Sequence, residues 1–494
     1  MSVRVLSAAA SAVVVAVVAA GCGGARAGSL GSASLGGAAA VAPANAVAFV
    51  SVDTSLSSPQ WQAIDDLLTK FPAHDKLLSE LQRQFEQDTK LSWNDDVKPA
   101  LGAELDVALL PGGDAVGFIQ PADEAKFDAL LTKLDAKLVS RRVGDWTAFA
   151  ENGATLDTVA QASAKLANDT TYGEAAAKLE GDALVHVYAN GAEAQKLLAS
   201  LPGQAQTPPP GGLRLRLGRA RSASPPATQQ FDWAAAEVVA ENDGVKVQAY
   251  ARRVPLSGAA LQGPSIKVPT TPYTAHLVDE IPAGALLVAD FPVQPGEFAL
   301  ADASRLPKML RGILAPPSEL GHQLDAILGG ETALYVRPGL PIPEVTLVTQ
   351  PNDTSRALAA LDALTAKLRQ SAGGSSGSFG LGSLPLYHDV TGGQLIVSTS
   401  RQGISDFLSG GAKLSSDGTF EEAQQASSMP AQTTGFLYVN LKDSLPLVQT
   451  LAPLAGVTLP SALQGGNLQA LRTLTAFVAR SGNDMTFTAF LEIK

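Results

Sequence analysis

The chain has 494 residues, 46% hydrophobic and 17% charged, with 36 Lys and Arg against 47 Asp and Glu and a formal net charge of −11. That length allows two or three domains, each with a sizeable core. The negative charge argues against nucleic acid as a partner, because phosphates demand a basic face.

Residues 1–21 predict an export signal: one cation at Arg4, then no charged residue from Val5 to Gly21. The stretch is shorter than the roughly 20 apolar residues of a spanning helix and ends in the small residues a cleavage site requires. Ala19-Ala20-Gly21-Cys22 resembles a bacterial lipobox, in which the thiol takes a diacylglyceryl thioether before cleavage on its amino side. The usual motif has Leu three residues before the cysteine, where this chain has Ala19. Cys22 is the only cysteine, and an unpaired thiol is otherwise poor chemistry for an exported protein. Lipidation of Cys22 explains the lone thiol, its place at the end of the apolar run and the small residues before it. Secretion with cleavage after Ala27, or an uncleaved amino-terminal helix, are the competing readings. Two or more acyl chains anchor stably where one is marginal. The expected location is therefore the extracytoplasmic face of the cell membrane. Residues 22–42 are almost all Gly, Ala and Ser, and predict a flexible tether with a span of about 25 Å.

After the tether the chain repeats itself. "ALGAELDVALL" (100–110) matches "ILGGETALYV" (327–336), with Leu-Gly-small-Glu before an apolar strand. "GFIQPADEAKFDALLTKLDAKL" (117–138) matches "TLVTQPNDTSRALAALDALTAKL" (346–368). Leu131, Leu134 and Leu138 then fall on Leu361, Leu364 and Leu368, as one face of an amphipathic helix. "AKLANDTTYGEA" (164–175) resembles "AKLSSDGTFEEA" (412–423), and the strands "ALVHVYAN" and "GFLYVNL" follow. Each half closes with a predicted hairpin, turning at Asn242-Asp243-Gly244 and at Gly482-Asn483-Asp484. A period above 200 residues is a domain duplication, since solenoid units are far shorter. The expected architecture is α+β, two homologous copies, each a largely antiparallel sheet covered by helices. The predicted division is 1–21 signal, 22–42 tether, 43–253 first copy, 254–281 connector and 282–494 second copy. Within the first copy, Ser58 and Pro59 open a helix with Trp61, Ile64 and Leu68 on one face. Leu77, Leu81 and Phe85 form the face of the next.

"SVDTSLSSPQWQAIDDLLTKFP", followed by "WNDDVKPALGAELDVAL", resembles a family of exported bacterial proteins, common in actinobacteria, with a domain of unknown function. The resemblance implies a cell-envelope location and carries over no catalytic residue.

Few residues point to chemistry. His74, His186, His276, His322 and His388 form no HxH or HExxH pattern, and a zinc site needs three or four ligands; no metal or cofactor is expected. His186 is read as a hydrogen-bonded or surface residue within a strand, and His388 as a loop residue. A formal G-x-S-x-G at 373–377 lies in a low-complexity loop, whereas a nucleophile elbow joins a strand to a helix. No Gly-Lys dipeptide exists, which removes a Walker A loop. Asp65-Asp66 and Asp95-Asp96 are adjacent carboxylates, best read as solvated faces or helix caps, since glycosidase pairs act from separated positions. Arg214, Arg216, Arg219 and Arg221 stand in a stretch without acidic residues. They are a candidate contact for anionic lipid, worth about 1 kcal/mol per cation, although an exposed edge hairpin or an insertion between prolines fits them better. Trp61, Trp93, Trp146 and Trp233 all lie in the first copy, and are read as core before ligand groove.

The sequence thus predicts a membrane-tethered envelope lipoprotein that is non-enzymatic and binds a ligand or scaffolds envelope proteins. A carrier of lipid or glycolipid, with an acyl chain between sheet and helices, is the second reading. A transporter's solute-binding lipoprotein is a third, but such proteins alternate strand and helix. An envelope hydrolase lacks a recognisable nucleophile, metal site or acid–base pair.

Overall fold

Alternating burial draws Ala48–Asp53 into the first strand, β1, whose Phe49 and Ser51 face inward. The computed structural model describes residues 36–72, 74–135, 137–200, 231–253, 271–293, 317–339, 343–372, 385–451 and 468–494. The chain divides into two units, Met1–Ala260 and Leu261–Lys494. Cys22, the four arginines at 214, 216, 219 and 221, and the 373–377 motif lie outside the described residues.

In the first unit β1 is joined by β2 (Glu104–Leu109), β3 (Ala115–Ile119), β4 (Val139–Val143), β5 (Trp146–Ala150), β6 (Val185–Asn190), β7 (Phe231–Glu241) and β8 (Gly244–Arg253). They run β4-β5-β3-β2-β1-β6-β7-β8, with every pairing antiparallel. The helices are α1 (Pro59–Thr69), α2 (His74–Thr89), α3 (Glu124–Leu134), α4 (Gly153–Gln161), α5 (Thr170–Ala176) and α6 (Gly191–Ser200). The Ser58, Asp123, Asn152 and Asp169 side chains cap α1, α3, α4 and α5 by accepting a backbone N–H three residues on. Such a cap contributes about 1 kcal/mol.

The second unit contains β9 (Leu287–Val293), β10 (Gly330–Arg337), β11 (Glu344–Thr349), β12 (Tyr387–Thr391), β13 (Gln394–Ser398), β14 (Phe436–Asn440), β15 (Leu471–Ser481) and β16 (Asp484–Ile493). Their order is β12-β13-β11-β10-β9-β14-β15-β16, again antiparallel at each described pairing. The helices are α7 (Pro317–Ile327), α8 (Thr354–Ala372), α9 (Arg401–Leu408), α10 (Gly418–Ala426) and α11 (Leu441–Leu451). The architecture is α+β with a large antiparallel sheet, as the sequence predicts. Both hairpins turn where expected: β8 starts at Gly244, and Gly482 takes a positive φ of 61° between β15 and β16.

Several expectations need correction. Residues 36–42 belong to the packed body and are not tether. Ala38, Ala39 and Ala42 are buried in the first core, and a Cβ on Gly36 would lie 2.5 Å from the Phe49 ring. Small residues here permit close approach, a use of Gly and Ala that composition alone reads as flexibility. Residues 271–281 likewise belong to the second unit, where Leu277 and Ile281 are core, so the connector is shorter than drawn. In α1 the buried leucine is Leu67. In α3 the buried face is Phe127, Leu130 and Leu131; Leu134 is exposed and Leu138 lies past the helix end. Leu361 is buried and Leu364 packs beside it in α8. The side chains of Leu77, Leu81 and Leu368 lie outside the described ones, and among the described side chains of α2 Leu78 and Phe85 are buried. His388 lies in β12 and not in a loop.

The recurring Leu-Gly-small-Glu motif has a packing cause. A Cβ on Gly102 would sit 1.9 Å from the Gln120 carbonyl oxygen, and one on Gly329 would sit 2.7 Å from that of Gln350. The glycine thus belongs with the Gln-Pro step at the end of the neighbouring strand.

Candidate functional site

Register builds a polar row on the inner face of the first sheet. Asp106 in β2 is opposite Ser51 in β1, Ser51 is opposite His186 in β6, His186 is opposite Glu237 in β7, and Glu237 is opposite Gln248 in β8. Directly opposed residues lie about 4.5–5.5 Å apart at Cα. The row is largely buried: Asp106 is 0% exposed, Ser51 6%, His186 7% and Glu237 1%. The same register positions in the second unit are Ala333, Asp290, Phe436, Phe477 and Thr488.

One end of the row holds the first turn of the body, a single 3₁₀ turn at Gly37–Ala40. Its free amides point at carboxylates: Gly37 N–H donates to Glu104 Oε1 (3.0 Å), and Ala38 N–H to Asp106 Oδ2 (2.9 Å). Ser51 Oγ also donates to Glu104 Oε1, at 2.7 Å. Asp106 Oδ1 has no hydrogen-bond partner. It sits against Gly36, where a Cβ would come within 2.9 Å of it. Burial, then the neighbouring Glu104 carboxylate, holds Asp106 well above the usual carboxylate range. Burial likewise pushes Asp53 up to about 6, although the Ser58 hydroxyl and the Ser55 amide both donate to it.

At the other end Glu237 Oε2 accepts the Glu180 amide (2.5 Å) and lies 3.9 Å from His186 Nε2. Glu237 Oε1 has no hydrogen-bond partner, and burial raises this carboxyl too. His186 Nε2 meets the Glu180 carbonyl at 2.8 Å. A carbonyl can only accept, so Nε2 is the donor in this contact. Lys246 Nζ pairs with the carboxylates of Glu180 (2.7 Å) and Glu241.

A cleft of about 310 Å³ reaches from the Gly37–Ala40 turn to His186 of the row. Its walls include Ala39, Ala40, Tyr172, Leu179, Glu180 and His186, with Gly36, Gly37 and Gly173 bringing backbone to its surface. Sequence reading missed the site because its members stand far apart in the chain and share no local motif. Of the histidines, only His186 joins it. The tryptophans do not line it: Trp146 and Trp233 belong to the core on the inner face, and Trp61 and Trp93 to a second core around α1 and α3.

Ser92 caps the π-turn at Trp93–Val97, and Asp95 and Asp96 stand in its first turn. Ser92 Oγ accepts the Asp95 amide, Asp96 Oδ2 accepts the Ser92 amide (3.0 Å), and Lys133 Nζ reaches Asp96 Oδ1 at 2.5 Å. The hydrogen bond from Lys133 lowers the Asp96 carboxyl. Among the described residues no cluster of three His, Cys, Asp or Glu could hold a metal ion. Among them, too, no helix is long and apolar enough to cross a membrane.

No family model, curated protein or solved structure matches the chain.

Proposed function

We propose that this chain is a lipid-anchored binding protein of the cell envelope, non-enzymatic, with a ligand site in the first of two duplicated units. The membrane is the partner reached through Cys22, and the family it resembles, exported bacterial lipoproteins of unknown activity, fits that place. The shared strand order supports duplication, as do the matching roles of Leu166 and Leu414 in the cores and of Asp169 and Asp417 as caps.

The observation that carries the binding reading is the contrast between the two rows. An antiparallel sheet of the same order is built with Phe436 and Phe477 where the first unit has His186 and Glu237. The fold does not need buried titratable groups there, and burying them is costly. Their placement beneath a cleft supports recognition of a ligand. Binding fits the geometry better than nucleophilic catalysis, because the Ser51 hydroxyl is directed to Glu104 and His186 is held by a carbonyl.

A second reading, a carrier of an acyl chain, is favoured by the opposite face of each sheet. Val107, Val50, Val187, Ala236 and Ala249 form one half-buried aliphatic row, and Leu347, Leu334, Ala289, Leu437 and Ala476 form another, half-buried except for the exposed Leu334.

Native mass spectrometry of the full chain extracted from bacterial membranes tests both readings. Acylated Cys22 with a co-purified small molecule supports the proposal, and a co-purified lipid favours the carrier. A chain beginning at Gly28, or one leaving cells with an unmodified thiol, overturns the location.

A further inference from the structure

We infer that the cleft of the first unit recognises a small organic cation, an ammonium group on a short apolar body. The inference rests on the binding reading above and names the chemistry of that site.

Size and lining set the body of the ligand. About 310 Å³ is room for on the order of ten waters at about 30 Å³ each, enough for a few carbon atoms and a head group. Ala39, Ala40, Ala167, Ala176 and Leu179 make most of the wall apolar.

The polar groups set the charge. Glu180 brings a carboxylate whose Oε1 is held by Lys246, and His186, with Nε2 donating to the Glu180 carbonyl, has Nδ1 as an acceptor in its neutral form. Behind the wall stand two buried carboxyl oxygens without partners. Asp106 Oδ1 lies against the lining residue Gly36, and Glu237 Oε1 belongs to the carboxyl beside His186. Among the described residues no lysine or arginine lines the cleft, and Lys246, which lies beside it, is paired to Glu180 and Glu241. The charged group on the lining is the Glu180 carboxylate, which disfavours an anion there and complements the donors of an ammonium ion. The second unit has Phe436 and Phe477 at the corresponding register positions, which marks His186 and Glu237 as specific to this cleft.

The test is saturation-transfer NMR on the full chain purified from membranes, with n-propylammonium chloride and sodium propionate as matched probes of opposite charge. Saturable transfer to the ammonium probe alone, weakened roughly tenfold or more by His186→Phe and several-fold by Glu180→Gln, supports the site. Glu180→Gln keeps the backbone contacts of residue 180, so it stays informative if His186→Phe fails to fold. Saturable transfer to propionate instead overturns the cation chemistry and leaves the binding reading standing. Transfer to neither probe, or transfer to the ammonium probe that both variants leave unchanged, overturns the inference. Acylation of Cys22 is read separately by mass and does not depend on this result.

Discussion

Lys165 and Lys413 perform one task in two units. Lys165 Nζ donates to the carbonyls of Val41 and Val159, both at 3.2 Å, and Lys413 Nζ to those of Glu280 and Phe407, at 3.0 and 2.9 Å. Each also pairs in an isolated bridge with a proline of the leading segment, Pro43 or Pro282. The lysine thus ties the start of its unit to the end of a helix. Replacing either by Met keeps the stem and leaves two carbonyls without that donor. Each variant should lose about 1–3 kcal/mol, measured as a lower urea midpoint at unchanged slope. A loss below about 0.5 kcal/mol, within the range of ordinary surface changes, would show that water replaces the ammonium group at no cost.

These lysines also mark what the sequence makes legible. The match of "AKLANDTTYGEA" to "AKLSSDGTFEEA" carries a tie, a core leucine, a cap and a core aromatic within twelve residues, so local spacing displays it. The hairpins and the alternation of the strands are local in the same sense. The polar row is not: Ser51, Asp106, His186 and Glu237 meet only through strand register, which is set by long-range pairing. Residues 36–42 misled for a related reason. Glycine and alanine serve a close-packed turn as readily as a tether, and only the Phe49 and Trp146 rings opposite them decide which.

Asp290 gives the second unit a pH dependence. It is fully buried, Tyr273 Oη donates to its Oδ1 at 2.6 Å, and burial, with the nearby Glu331 carboxylate adding to it, pushes the carboxyl up from 3.8 to about 7. A raised acid binds its proton more tightly in the native state than in the unfolded chain. Stability from this group is therefore present at low pH and lost as pH rises from about 4 to 7. The full effect is on the order of 4 kcal/mol. Asp290→Asn should gain stability relative to wild type across that window, its amide oxygen still accepting from Tyr273. Asp53, Asp106 and Glu237 act with the same sign, so the variant-minus-wild-type difference is the quantity to plot. A flat difference between pH 4 and 7 would contradict the assignment.

The glycines of the repeated motif differ in how much room they have. Gly102→Ala would drive a Cβ to 1.9 Å from a backbone oxygen, and Gly329→Ala to 2.7 Å. Neither obstacle is a flexible side chain, so strands must shift. Gly102→Ala should cost about 3 kcal/mol or more and Gly329→Ala about 1–3 kcal/mol, in that order, by thermal unfolding. The reverse order would place the close approach elsewhere.

The two motif glutamates hold the leading segments of their units. Glu104 takes the Gly37 amide at 3.0 Å, and Glu331 takes those of His276 and Leu277, both at 2.7 Å. The first amides of a helical turn have no partner within it, and a carboxylate supplies a charge-assisted one. Removing it should leave most of the unit folded and free its first turn. Glu104→Ala should speed hydrogen exchange at residues 37–40, and Glu331→Ala at 276–279, by roughly 10- to 100-fold, the equivalent of about 1.4–2.8 kcal/mol of local opening. Each substitution should leave the other unit's first turn unchanged. Exchange that rises throughout a unit would mean that its glutamate supports the whole sheet and not one turn.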